Sequence, residues 1–154
     1  MRNLVFKWVP VIAWMMLIFA GSTDALSAEQ TSRFLVPFLH WLDPHISFAT
    51  IAAIHMSIRK LGHVSEYAIL ATLLWRAFRS LLPVSLWWPA IMSLGVAAVY
   101  AAMDEFHQSF VPVRTASQSD VMIDIFGAIA ALVICIAFSQ AAAGNRDQRA
   151  RQVA

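Results

Sequence analysis

A helix that crosses a bilayer needs about 20 mostly apolar residues, and four stretches of this chain meet that requirement, at residues 4–21, 58–78, 85–103 and 120–139. With 60% hydrophobic and only 13% charged residues, the chain has too little polar surface to cover a globule in water. The bilayer is therefore its expected solvent. Six Trp in 154 residues agree, because Trp favours the headgroup region. The net charge of +2 comes from dispersed basic residues that form no stripe suited to nucleic acid. Cys135 is the single cysteine, which excludes an intrachain disulfide and any CxxC site.

These runs predict an all-α membrane fold, a four-transmembrane-helix bundle with an interfacial or re-entrant segment between helices 1 and 2. The first run begins with Arg2, Lys7 and Trp8. An uncleaved anchor is expected, with Lys7 snorkelling to the surface; the rival reading is a signal peptide cut after the small residues Ala20-Gly21-Ser22. The second run carries His63 and Glu66. The third opens on Trp87, Trp88 and Pro89, where proline is tolerated in a first turn, and closes on Asp104 and Glu105. The fourth is interrupted only by Asp124, and Gly144 with a charged tail ends its pattern. This divides the chain into a transmembrane domain, 1–143, and a polar, disordered cytoplasmic tail, 144–154. Between the first two runs, Pro37 and Pro44 break apolar pieces. Phe34, Leu35, Phe38, Leu39 and Leu42 share one helical face edged by Arg33, His40 and Asp43, as in a short interfacial helix; a loop is the other reading. Asp43 before Pro44 reads as a turn. Residues 46–58 are too short to cross alone, and either re-enter the membrane or extend the second helix outward.

With four spans both termini share a side. Arg2, Lys7, Arg76, Arg79, Arg146, Arg149 and Arg151 then lie there, seven of the 11 basic residues, and the positive-inside bias makes that side the cytoplasm. Arg33, Arg59, Lys60 and Arg114 lie opposite. Eight of the nine acids, all but Asp147, fall in the outer half, and Trp8, Trp75, Trp87 and Trp88 form an inner aromatic belt.

The outer half therefore holds the residues able to do chemistry. On the second helix Lys60, His63, Glu66 and Tyr67 follow a spacing that places them along one face. Glu66 lies about 9 Å deeper than Lys60, and a charge at that depth costs on the order of 2.5–3.5 kcal/mol unless paired or hydrated. Asp120 and Asp124 share a face of the fourth helix, which Gly127 and Ala131 continue as a small-residue strip suited to close helix contact. The connection from Asp104 to Arg114 adds Glu105, His107 and Gln108. Antiparallel packing is expected to bring His63, Glu66, Asp104, Glu105, Arg114, Asp120 and Asp124 to one outward-opening pocket. Two accounts of this layer stay open. Its groups either pair with one another to hold the helices together, or leave an excess of acids to be protonated, to bind a hard cation or to be hydrated in a ligand cleft. His40, His45 and His55 read as interfacial or surface groups. No HExxH, GxSxG, glycine-rich phosphate loop or Walker lysine is present, which argues against the commonest hydrolase and nucleotidase arrangements.

Arg59-Lys60-Leu61-Gly62-His63 with Tyr67 and Leu70, then Asp104-Glu105-Phe106-His107-Gln108-Ser109-Phe110-Val111-Pro112-Val113-Arg114, then Ser117, Asp120, Asp124 and Gly127 together resemble the VanZ-like family. The resemblance runs from the first helix to the fourth. Ser22 is the candidate for the serine-containing turn that follows the first helix in that family. Val113 stands where a glycine commonly precedes the arginine, which puts the turn around Arg114 in question. The resemblance implies a multi-pass protein of the bacterial cell envelope, with a link to antibiotic resistance through teicoplanin, a glycopeptide that acts on cell-wall precursors outside the membrane. It supplies no biochemical activity, cofactor or oligomeric state. One reading is a binder of membrane lipid, an anionic headgroup or a cell-wall precursor through Lys60, Tyr67, Gln108, Arg114, Ser117 and Asp120. The other is a lipid-headgroup enzyme with His63 or Glu66 as acid or base and Asp104, Glu105 or Asp124 orienting them or holding a cation.

Overall fold

The computed structural model describes residues 2–23, 28–82, 85–110 and 117–153. Within them the chain is all α, with five helices and no strand: α1 Arg2–Gly21, α2 Ala28–Leu42, α3 Phe48–Arg79, α4 Trp87–Gln108 and α5 Gln118–Val153. By length and apolar composition, α5 over Gln118–Gln152 is the one described helix that suffices to cross a membrane, and the apolar Val5–Gly21 is shorter.

Local chemistry accounts for the helix limits. Asp43 Oδ1 accepts the backbone N–H of His45 at 2.9 Å, making the turn expected around Pro44. Ser47 then caps α3 by accepting the Thr50 N–H at 3.1 Å. From Phe48 on, this stretch thus extends the second predicted helix at its N-terminal end as one continuous helix and does not form a separate segment. α3 has 32 residues, about 48 Å of helix. Two expected limits are corrected. Asp104 to Gln108 form the last turn of α4 and are not part of a connection; the Ser109 N–H bonds back to the Glu105 carbonyl at 3.1 Å. α5 does not stop at Gly144 but continues to Val153. Both corrections have one cause: Glu, Gln, Arg and Ala are good helix formers, so hydropathy drops where the backbone has no reason to unwind.

α3 and α5 run parallel and pack most extensively, α4 packs on both, and α1, which packs on α3, runs parallel to α4 and antiparallel to α3 and α5. In α3 and α5 the contacts Arg59·Asp120, His63·Asp124 and Thr72·Cys135 advance together along both chains. In α1 and α4, Tyr100 Oη donates to the Met15 carbonyl at 2.6 Å and Gln108 Nε2 to Ser22 Oγ at 3.3 Å. Trp14 Nε1 donates to the Glu66 carbonyl at 2.9 Å and Trp8 meets Phe78 edge to face, which ties α1 antiparallel to α3.

The interior combines larger apolar side chains of α1 and α3, among them Ile18, Tyr67, Leu70 and Leu74, with small and polar residues of α4. The buried face of α4 is Pro89, Ala90, Ser93, Ala97, Ala101, Asp104, Glu105 and Gln108, while large side chains such as Phe6, Met16, Val99, Phe126 and Phe138 point outward. Such a distribution suits a bundle in lipid, where close backbone approach and polar contacts, not hydrophobic burial, hold helices together. Among the described side chains of α2 only Leu39 is buried; Phe34 and Trp41 are 81% and 76% exposed.

Because Trp14 and Tyr100 each make a hydrogen bond between α1 and a neighbouring helix, Trp14→Phe and Tyr100→Phe should each lower stability by about 1 kcal/mol. Thermal melting of the detergent-solubilised protein would measure this, and an unchanged midpoint in both variants would show that these bonds do not hold α1.

Candidate functional site

The polar layer lies at the end of the bundle where α1 and α4 finish and α5 begins. Across the α3/α5 seam, Arg59 Nη2 donates to Asp120 Oδ2 at 2.9 Å, and one turn deeper His63 Nδ1 meets Asp124 Oδ1 at 3.1 Å. An ionised carboxylate only accepts, so Nδ1 carries the hydrogen of that contact. His63 Nε2 faces Asp120 Oδ2 at 3.9 Å. His63 and Asp124 are 7% and 1% exposed, so the pair is shielded from water and each group depends on the other. The seam closes this tightly because Gly127 presses on the α3 backbone: a Cβ there would sit 2.4 Å from the Val64 carbonyl oxygen.

A second group stands on α4. Gln108 Nε2 donates to Asp104 Oδ2 at 2.9 Å as well as to Ser22 Oγ, and Ser22 Oγ donates to the Ile18 carbonyl at 3.0 Å. Glu105 Oε1 accepts the Ser117 backbone N–H; the Ser117 carbonyl in turn accepts the Asp120 N–H at 2.8 Å, so Glu105 anchors the entry to α5. Tyr67, Gln108 and Asp104 are buried, yet Tyr67 Oη, Gln108 Oε1 and Asp104 Oδ1 have no hydrogen-bond partner among the described residues. Tyr67 lies within electrostatic range of both Asp104 and Asp124, and Asp124 of Asp104 and Asp120. The two groups therefore form one layer.

Of the residues expected at the site, the fold gathers His63, Tyr67, Asp104, Glu105, Gln108, Ser117, Asp120 and Asp124. Glu66 is half-buried within electrostatic range of His63 and Tyr67. Lys60 requires correction: it is exposed and does not share the buried face of His63 and Tyr67. It borders a groove of about 450 Å³ lined by Leu61, Val64, Met122, Ile123 and Phe126. Positions 59 and 60 lie four and three residues before His63, on opposite flanks of its face, and Arg59 is the one that reaches Asp120 on α5. Arg59 is thus the cation that enters the layer, and Ser22 and Tyr100 join it from α1 and α4. The spacing of four from Arg59 to His63, matching that from Asp120 to Asp124, was the available signal. Arg114 lies outside the described residues, as does Val113. Among the described residues no three His, Cys, Asp or Glu side chains converge as metal ligands would; Arg59 and His63 already engage Asp120 and Asp124. Of the outer histidines, His40 Nδ1 contacts the Val36 carbonyl and His45 is exposed. His55 is partly covered, with Nε2 buried.

A family model described as VanZ/LLP1 matches residues 6–139. The chain belongs to the VanZ/LLP1 family. No curated protein and no solved structure matches it. The VanZ/LLP1 match includes every residue of the polar layer and stops short of the last turns of α5.

Proposed function

We propose that this VanZ/LLP1 chain is a four-span protein of the bacterial cytoplasmic membrane, with both termini in the cytoplasm. In this reading it binds the anionic headgroup of an envelope lipid or lipid-linked cell-wall precursor at the outer leaflet without altering it. α1, α3, α4 and α5 are the spans, α2 lies on the outer surface with its apolar side chains in lipid, and the polar layer sits at the outer leaflet. The observation that carries the reading is the division of labour among the cations. Arg59 and His63 are consumed by Asp120 and Asp124, whereas Lys60, one residue away, stands exposed at the rim of an apolar groove. A headgroup phosphate beside Lys60 with an acyl or prenyl chain along Met122 and Phe126 satisfies both kinds of surface. Occupancy of a lipid-linked precursor is also the simplest route by which such a protein would alter susceptibility to teicoplanin.

Two measurements test this. In a Cys135→Ser background, a cysteine introduced at Asp43 should react with a membrane-impermeant maleimide from outside the cell and one at Asn145 should not; the reverse pattern would overturn the topology. In nanodiscs, Lys60→Gln should weaken retention of the anionic lipid by about fivefold, the worth of about 1 kcal/mol near a membrane surface, and unchanged retention would remove the groove from consideration.

The enzymatic reading rests on the His63–Asp124 contact, in which a carboxylate orients an imidazole as it would a general base. On this geometry Nε2 points toward Asp120, which Arg59 already holds, and that favours a binding role. Appearance of a chemically altered lipid after incubation with pure protein would reverse the preference.

A further inference from the structure

At the opposite end of the bundle, the end of α3, the start of α4 and the second half of α5 enclose a pocket of about 500 Å³. Its polar lining is Arg79, Ser85, Ser139, Gln140 and Arg146, over a floor of Leu86 and alanines. Among the described side chains no carboxylate lines it, and every polar group that does can donate a hydrogen bond. We propose that this pocket binds a phosphate group, as borne by the headgroup of an anionic phospholipid or by free phosphate.

Three features make it an anion site and not merely a basic surface. First, Arg79 is held in place: its guanidinium lies 5.1 Å from the centroid of the Trp75 ring, so less side-chain freedom is lost when it engages a ligand. Second, α4 begins here with Leu86 at its N-cap, a residue that offers no side-chain acceptor. Ser85 Oγ accepts the Trp87 N–H at 3.1 Å and Pro89 has no N–H, so what α4 offers an anion here is chiefly the positive end of its dipole. The C-terminus of α3 carries the opposite dipole and disfavours one, but Arg79 stands at that terminus and offsets it. Third, Ser139, Ala142, Ala143 and Arg146 recur at helical spacing on one face of α5. Arg146 is on the pocket wall only because the helix runs unbroken through Gly144. Two guanidinium groups facing one cavity repel each other unless an anion lies between them, and neither forms an ion pair with a described side chain. Arg146 lies beyond the family match, whereas Arg79, Ser85, Leu86 and Ser139 lie within it.

The experiment uses the full chain in a Lys60→Gln background, so that the outer groove contributes less and failure here stays separate from failure of the outer site. Native mass spectrometry from a neutral detergent compares retention of phosphatidylglycerol and phosphatidylcholine with identical chains. The expected result is a preference for phosphatidylglycerol of about tenfold or more, lost in Arg79→Gln/Arg146→Gln and kept in Arg149→Gln, whose arginine is exposed off the pocket. Excess inorganic phosphate serves as a second arm that needs no variant. Displacement of phosphatidylglycerol by phosphate identifies the phosphate group alone as the ligand, whereas a lipid that resists it identifies the whole headgroup with its chains. Equal retention of the two lipids, or a preference that survives the double substitution in a protein of unchanged helix content, would overturn the proposal.

Discussion

Gly127→Ala is expected to destabilise the protein by about 1–3 kcal/mol, although alanine is the better helix former by about 1 kcal/mol. The added methyl would meet the carbonyl oxygen of Val64 at 2.4 Å. That oxygen is backbone and cannot rotate away, so relief requires α3 and α5 to separate. Separation would stretch Arg59·Asp120 and His63·Asp124 on one side and Thr72·Cys135 on the other, since all lie on the same seam. Gly95→Ala on α4 provides the contrast. A Cβ at Gly95 has nothing within 4 Å, and there the propensity term acts alone, with a gain of up to about 1 kcal/mol. Thermal melting in detergent, followed by tryptophan fluorescence, reads both. Shifts of the same sign at the two glycines would refute close α3/α5 contact at Gly127.

Asp124→Ala should cost about 3 kcal/mol, because it leaves the His63 ring nitrogen buried without its acceptor. Asp124→Asn keeps an oxygen at the same place and should retain most of that stability. Replacing both partners by Leu removes the need for either and should recover much of the loss in Asp124→Ala. The series also bears on function. If the pair only holds helices, lipid binding in nanodiscs follows stability across all three variants. If it orients His63 for chemistry, Asp124→Asn stays folded yet loses any turnover. An Asp124→Ala protein that melts at the wild-type midpoint would show that the pair is not formed in the folded state.

The sequence made the helices and one of the two seams legible. Apolar runs located α1, α3, α4 and α5, the proline-broken segment yielded α2, and spacing alone put Asp120, Asp124 and Gly127 on one buried face. The same rule failed at Lys60. A helical wheel places 59 and 60 about equally well beside His63, and the choice between them depends on which one the carboxylate of the partner helix stands opposite. Hydropathy likewise ended α4 at Met103 and α5 before Gly144, because it registers where apolar residues stop and not where backbone hydrogen bonds stop. Asp104, Gln108 and Arg146 were therefore assigned to a connection or a tail, when each lies on a helix that aims it at a neighbour.

By itself, the chain's pattern determined its class and its membrane character: period 3.6 and apolar length are local properties, fixed by covalent order and by the solvent each residue prefers. Which charges meet was decided only by the tertiary structure. The pairing of Arg59 with Asp120, the release of Lys60 to the surface, the joining of Ser22 to Gln108 and the convergence of Arg79 with Arg146 depend on the register between helices. That register is set by how closely two backbones approach, a distance that Gly127 controls and that no single helix contains.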